Sequence, residues 1–198
     1  LNYQGQISLS SNGTTAVTAN KMTVTSNPFQ AKLNTAIGAT GNNLVKGQSN
    51  AKIGSWVLSA SSAEGINVST LTWVASGTFP FVNLVAKVNG VQFGNIDGSI
   101  TAGDTETFAG ASPAAIPAGG NITVDLYADA LSTATNLGNS YYAKLTSASA
   151  VGNTTATTQT LKDTGGTAVS TTNTVNGQAY TFNVLGPTIT VDNDSSSP

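Results

Sequence analysis

Asn121-Ile-Thr-Val-Asp-Leu-Tyr-Ala-Asp-Ala130 decides the fold class. Ile122, Val124, Leu126 and Ala128 fall on one face of an extended chain. Asn121, Thr123, Asp125, Tyr127 and Asp129 fall on the other. A period of two with one apolar side is the pattern of a half-buried strand. Val82, Leu84, Ala86 and Val88 repeat it, and Asn89-Gly90 then leads to Val91 and Phe93. Asn-Gly between two alternating runs marks a hairpin, because a type I′ turn needs positive φ at both central residues.

Weaker alternations extend the reading outward. Trp56 and Leu58 share a face within 53–60. The run 66–74 changes phase between Val68 and Leu71, which predicts a bulge near Ser69. Tyr141, Ala143 and Leu145 alternate, as do Tyr180, Phe182 and Val184. Ile189 and Val191 suggest a last strand, and Tyr3, Ile7 and Leu9 a first one. Gly, Pro or Asn punctuates most joints, and no segment offers a helix of ten residues. Thr and Val, both strand formers, are frequent throughout. Short strands with turn signals every ~8–12 residues predict an all-β chain. The expected fold is an immunoglobulin-like β-sandwich with extended terminal strands. Trp56 and Trp73 are expected in its core.

The organisation expected along the 198 residues has three parts. Residues 1–50 carry N-terminal strands and a polar linker, open to pairing with a neighbour. Residues 51–192 form the sandwich, and 193–198 a disordered tail. A faint echo relates Met22-Thr-Val-Thr-Ser-Asn-Pro28 to Phe182-Asn-Val-Leu-Gly-Pro187. A real repeat would mean units laid head to tail. The alternative is coincidence in a Thr- and Val-rich chain.

Composition narrows function further. Thr, Ser, Asn and Gly make up 92 of 198 residues, and only 8% of residues are charged; ~25% is ordinary for a globular domain. There are seven Lys, no Arg, no His and no Cys. Without His or Cys there is no Ser-His-Asp triad, no cysteine nucleophile and no thiolate or imidazole metal site. Without Arg there is no bidentate phosphate clamp. A net charge of −2 gives no basic footprint for nucleic acid. No run approaches the ~18 apolar residues of a membrane span. No signal-peptide pattern opens the chain and there is no initiator Met, so Leu1 reads as a processed or trimmed start. The expectation is a non-enzymatic structural or binding protein without cofactor, located outside the cell or on its surface.

Two longer stretches carry a resemblance. They are Val45-Lys-Gly-Gln-Ser-Asn-Ala-Lys-Ile-Gly-Ser-Trp-Val-Leu-Ser-Ala-Ser-Ser-Ala-Glu-Gly-Ile-Asn-Val-Ser-Thr-Leu-Thr72 and Ile116-Pro-Ala-Gly-Gly-Asn-Ile-Thr-Val-Asp-Leu-Tyr-Ala-Asp129. Together they resemble repeats in secreted surface proteins of uncultivated small-genome bacteria and some other prokaryotes. The resemblance covers about residues 40–135. It implies immunoglobulin-like domains in cell-surface arrays, stalks or extracellular fibres, without enzymatic activity. It also implies that Ile116, Pro117, Gly119 and Gly120 launch a strand rather than carry chemistry. The chain departs from the family by holding only one clear copy.

Several candidate sites follow from the residues. Asn95, Asp97, Asp104 and Glu106 concentrate oxygen ligands, and calcium takes six to eight oxygens. Their spacing misses the EF-hand loop, and two turns around a short strand are the plainer reading. Asp125 and Asp129 lie ~13 Å apart along a strand, too far for a glycosidase pair, and are expected to be solvated. Glu64 sits in a turn. Lys144 beside Tyr142 is a candidate for an isopeptide bond with no evident partner. N-x-[ST] sequons stand at Asn12, Asn67, Asn121, Asn153 and Asn193, a number that chance alone gives in a chain this rich in Asn, Ser and Thr. The Thr-rich tract 154–160 is the candidate for O-glycans.

The leading expectation is a subunit of an extracellular filament, pilus-like fibre or surface layer. It would assemble head to tail with copies of itself by strand addition. The inserted side chains would be Tyr3, Ile7 and Leu9, or Phe182, Val184, Ile189 and Val191; the alternative is that these segments pack in their own domain. A second reading is a carbohydrate-binding or adhesive module using Tyr127, Tyr141, Tyr142 and Trp73. A third is a viral capsid or tail domain.

Overall fold

A computed structural model describes residues 29–40, 42–98, 100–135 and 140–183. Among them run thirteen strands: β1 (Phe29–Leu33), β2 (Asn42–Val45), β3 (Ala51–Ala60), β4 (Ile66–Ala75), β5 (Phe81–Val88), β6 (Val91–Gln92), β7 (Thr105–Ile116), β8 (Asn121–Ala130), β9 (Ser140–Tyr141), β10 (Ala143–Gly152), β11 (Thr158–Gln159), β12 (Val175–Asn176) and β13 (Ala179–Asn183). The only helical element among them is a 3-10 turn at Thr35–Ile37.

Two antiparallel sheets carry the fold. The first has the order β1-β3-β8-β5-β6; the second has the order β11-β10-β4-β7, with β12 also on β10. They face each other as a β-sandwich. Trp56 of the first sheet and Trp73 of the second lie 5.7 Å apart between ring centroids, and Phe108 of β7 is 5.5 Å from Trp73. Both tryptophans are buried, as expected. A second cluster closes the end where β5 begins: Phe81, Tyr142 and Phe182 lie within 5.7 Å of one another, centroid to centroid. Aromatic pairs at such spacings add ~0.5–1.5 kcal/mol each beyond their burial.

The alternating runs behave as their period requires. Ile122, Val124, Leu126 and Ala128 are all buried. The Asn89-Gly90 turn has φ +49° and +83°, and joins β5 to β6. The phase change in β4 is a bulge at Ser69: Val68 pairs with Ala150 and Thr70 with Ser149.

Three local expectations are corrected. In β5 the inward set is Phe81, Leu84 and Ala86 rather than one starting at Val82; Asn83 adopts φ +55° and the register shifts between Val82 and Val85. Tyr142, not Tyr141, points inward, because the break between β9 and β10 resets the alternation. Asp125 is 8% exposed and not solvated; its partners are described below.

β1 and β2 precede the boundary drawn at residue 51, and both pair with strands beyond it. β1 lies on β3, and β2 lies parallel to β13 in a small third sheet with β9. The tail 193–198 and both echo prolines, Pro28 and Pro187, lie outside the described residues.

Candidate functional site

The edges of the two sheets are the features that bear on assembly. β1 is an edge in the ladder but is covered: Ala31 N–H donates to Lys162 O (2.8 Å) and Lys162 N–H to Phe29 O (3.0 Å). β6 and β11 are two residues long. β7 is different. It has twelve residues and, among the described residues, only β4 as a ladder partner. An unpaired edge leaves alternate N–H and C=O groups without a ladder.

β7 is also irregular. Val68 pairs with Ala114 and Thr70 with Ala109, so residues 110–113 form an excursion opposite Ser69 alone. The hairpin β5–β6 meets β7 just before this point. A Cβ on Gly110 would sit 2.3 Å from the Phe93 ring, and one on Gly94 (φ +82°) 3.0 Å from Ala109 N. These two glycines let the sheets close at residues 109–110. Beyond that contact they part, and an open groove of about 460 Å³ runs between β6 and the second half of β7. Val91 stands on one wall, 72% exposed; Ala111, Ser112 and Ala115 form the other; Phe93 and Ile122 lie buried at its base. No lining residue is charged.

Further along the same edge, the sheets are joined by acids. Asp97 extends the first sheet through mutual backbone bonds with Leu84 (2.7 and 2.9 Å). Its side chain is hydrogen-bonded to Glu106 of β7. Two carboxyl groups sharing a hydrogen bond hold one proton between them. Burial, Asp97 and the charge of Asp104 push the Glu106 carboxyl up to about 7. Asp104 also caps its own turn, accepting from Thr101 N–H at 3.2 Å. Asn95 borders a depression with Asp97 and the 107–109 part of β7. Of the four oxygen-ligand candidates, the structure thus couples Asp97 to Glu106. Among the described residues, no three His, Cys, Asp or Glu side chains are placed to hold a metal.

On the outer face of the first sheet, Asp125 anchors a polar network. It accepts from Ser55 Oγ (2.5 Å) and from Lys52 Nζ (2.8 Å). Gln178, fully buried, accepts from Ser55 N–H (2.7 Å) and donates to Asn34 O (3.0 Å). Burial and the nearby Asp125 and Tyr127 push the Tyr180 hydroxyl up to about 12. This network pins residues far apart in sequence. Asp129 is held by Asn83 Nδ2 (2.8 Å) and Asn50 N–H (2.7 Å), which lowers its pKa. Glu64 accepts from Thr155 N–H (2.6 Å) and Thr154 N–H (2.9 Å), tying the turn before β4 to the one after β10 and lowering its pKa.

The remaining candidates are placed as follows. Phe182 is buried on its own domain's core. Tyr3, Ile7, Leu9, Val184, Ile189 and Val191 lie outside the described residues, as do Asn12 and Asn193. Asn67 sits mid-sheet on β4, partly covered; Asn121 and Asn153 are exposed at a strand start and a turn. The tract 154–160 is largely exposed and forms a turn and β11. Trp73 and Tyr142 are core residues, so only Tyr127 and Tyr141 of the proposed sugar-binding aromatics reach the surface. Tyr127 carries Lys87 Nζ 4.2 Å from its ring centroid.

Reading along the chain did not find the β6–β7 groove. Its one local signal is Gly110-Ala-Ser-Pro-Ala-Ala115, a run of small residues where a strand pattern fades. In comparison with known proteins, no family model matches the chain, and no curated protein matches it either.

Proposed function

We propose that this chain is a structural, non-enzymatic subunit of an extracellular filament, pilus-like fibre or surface layer, assembling with copies of itself by β-strand addition. The observation that carries the reading is β7, a twelve-residue edge strand with a single ladder partner among the described residues. Natural sandwiches guard such edges with lysines, prolines, bulges or covering segments. Here β1 is covered and β6 and β11 are short, while β7 has no Lys; its Pro113 and the excursion at 110–113 interrupt the edge locally and leave 105–109 and 114–116 on either side with β4 as their one ladder partner among the described residues. Low charge favours the same reading, because Thr-rich faces approach with little repulsion. The sandwich is taken as immunoglobulin-like on the strength of the resemblance over residues 40–135.

Electron microscopy of the purified chain over a range of concentrations tests the reading. Filaments or sheets are expected. A monodisperse monomer at every concentration, by microscopy and light scattering, would overturn it.

A further inference from the structure

We propose that the groove between β6 and the second half of β7 is the acceptor, and that residues 1–10 of a second copy occupy it as an added strand. The inference rests on the strand-addition reading above and names its two surfaces.

Residues 1–10 alternate, with Gly5 the one position on the apolar side that has no side chain. Leu1, Tyr3, Gly5, Ile7 and Leu9 take the odd positions; Asn2, Gln4, Gln6, Ser8 and Ser10 take the even ones. As a strand, such a segment presents one apolar face and one polar face. The groove asks for that division. Its base is apolar (Phe93, Ile122), its mouth is open to water, and its β7 wall is low because it is built from Gly, Ala and Ser. The odd side chains would cover Val91 and the base, the even ones would face solvent, and the backbone would pair with the free edge near Ala114 and Ala115. Neither surface carries a charge, so docking desolvates no ion.

Attachment favours a neighbour, while reach permits either groove. Eighteen residues, 11–28, separate the segment from β1. At ~3.3 Å per residue they span up to ~60 Å, more than the ~33 Å length of a ten-residue strand and enough for either groove. They join the sandwich at β1, and the groove lies beside β6 at the opposite edge of the same sheet. A path to the chain's own groove must cross the end of the sandwich; a path to another copy need not.

The chain has no cysteine, so introduced thiols report contacts cleanly. Chains carrying one Cys at Tyr3, Ile7 or Leu9 are mixed with chains carrying one Cys at Ala111, Ser112 or Ala115, and oxidised. A disulfide needs Cα atoms ~4.4–6.8 Å apart. The expected result is a disulfide-linked dimer for at least one pairing, and none with Thr158→Cys on β11. Ala115→Lys should abolish filaments while leaving the melting temperature of the monomer unchanged. Filaments without any cross-link to β7, cross-links to Thr158→Cys instead, or filaments that survive Ala115→Lys would overturn the acceptor and leave strand addition standing. A link within chains carrying both thiols, with none between mixed single-thiol chains, would show same-chain packing and overturn the second copy. Neither filaments nor cross-links would overturn both readings.

Discussion

Glu106 and Asp97 sit on different sheets and share a proton, which makes stability depend on pH near neutrality. In the unfolded chain the Glu106 carboxyl titrates near 4.5; in the fold it does so at about 7. Between these values the folded chain holds a proton that the unfolded chain releases. Stability is therefore greatest at and below pH 4.5 for this group, falls as pH rises through 7, and is level above. Chemical denaturation from pH 4.5 to 8 should show that fall, and Glu106→Gln, which keeps a donor without a charge, should flatten it. A second residue-scale test concerns Gln178. Gln178→Ala leaves the buried Ser55 N–H without an acceptor, a loss of about 1–3 kcal/mol, readable as a lower urea midpoint with unchanged slope. The signals behind these residues were unevenly legible. Asp97 and Glu106 stood out as oxygen-rich positions, but their pairing depends on two sheets meeting. Gln178 gave no signal at all, because an amide in a polar tract looks solvated until a strand covers it.

At the scale of elements, β6 and β7 define the edge, and Gly94 holds them together. Gly94 has φ +82° and Gly90 has φ +83°, but only Gly94 has backbone against it. Both Ala substitutions meet left-handed strain of about 1–2 kcal/mol. Gly94→Ala must also displace Ala109. It should therefore cost more than Gly90→Ala in equilibrium unfolding, and equal costs would argue against the close contact. The β5–β6 hairpin and β8 were legible because their turn chemistry and alternation are local. β7 was not. Its four-residue excursion at 110–113 erases the period of two, and small residues give no hydrophobic contrast. β13 was legible from the alternation of Tyr180 and Phe182, both buried, whereas the two-residue β12 was obscured by the Thr/Gly tract before it. That tract is pinned by side-chain bonds such as Thr167 N–H and Asn173 Nδ2 to Asp163, not by an apolar stripe.

For the whole molecule, the proposed assembly separates stability from polymerisation. The core of Trp56, Trp73, Phe108, Phe81, Tyr142 and Phe182 is buried, its rings in contact within two clusters, among the described residues. A chain lacking residues 1–10 should therefore keep its melting temperature and buried-tryptophan emission while forming no filaments. A large drop in melting temperature instead would mean that the segment packs in its own domain. The amino-acid sequence by itself determined the all-β class, the Asn89-Gly90 hairpin, the inward face of β8 and the bulge at Ser69. Each is set by sterics and hydrophobic period within a few residues. Only the tertiary structure decided which edge stays open, which carboxylates meet, and that Tyr142 rather than Tyr141 faces the core. Those outcomes depend on the order in which distant strands pair, and strand order is fixed by the summed packing of both sheets rather than by any local pattern.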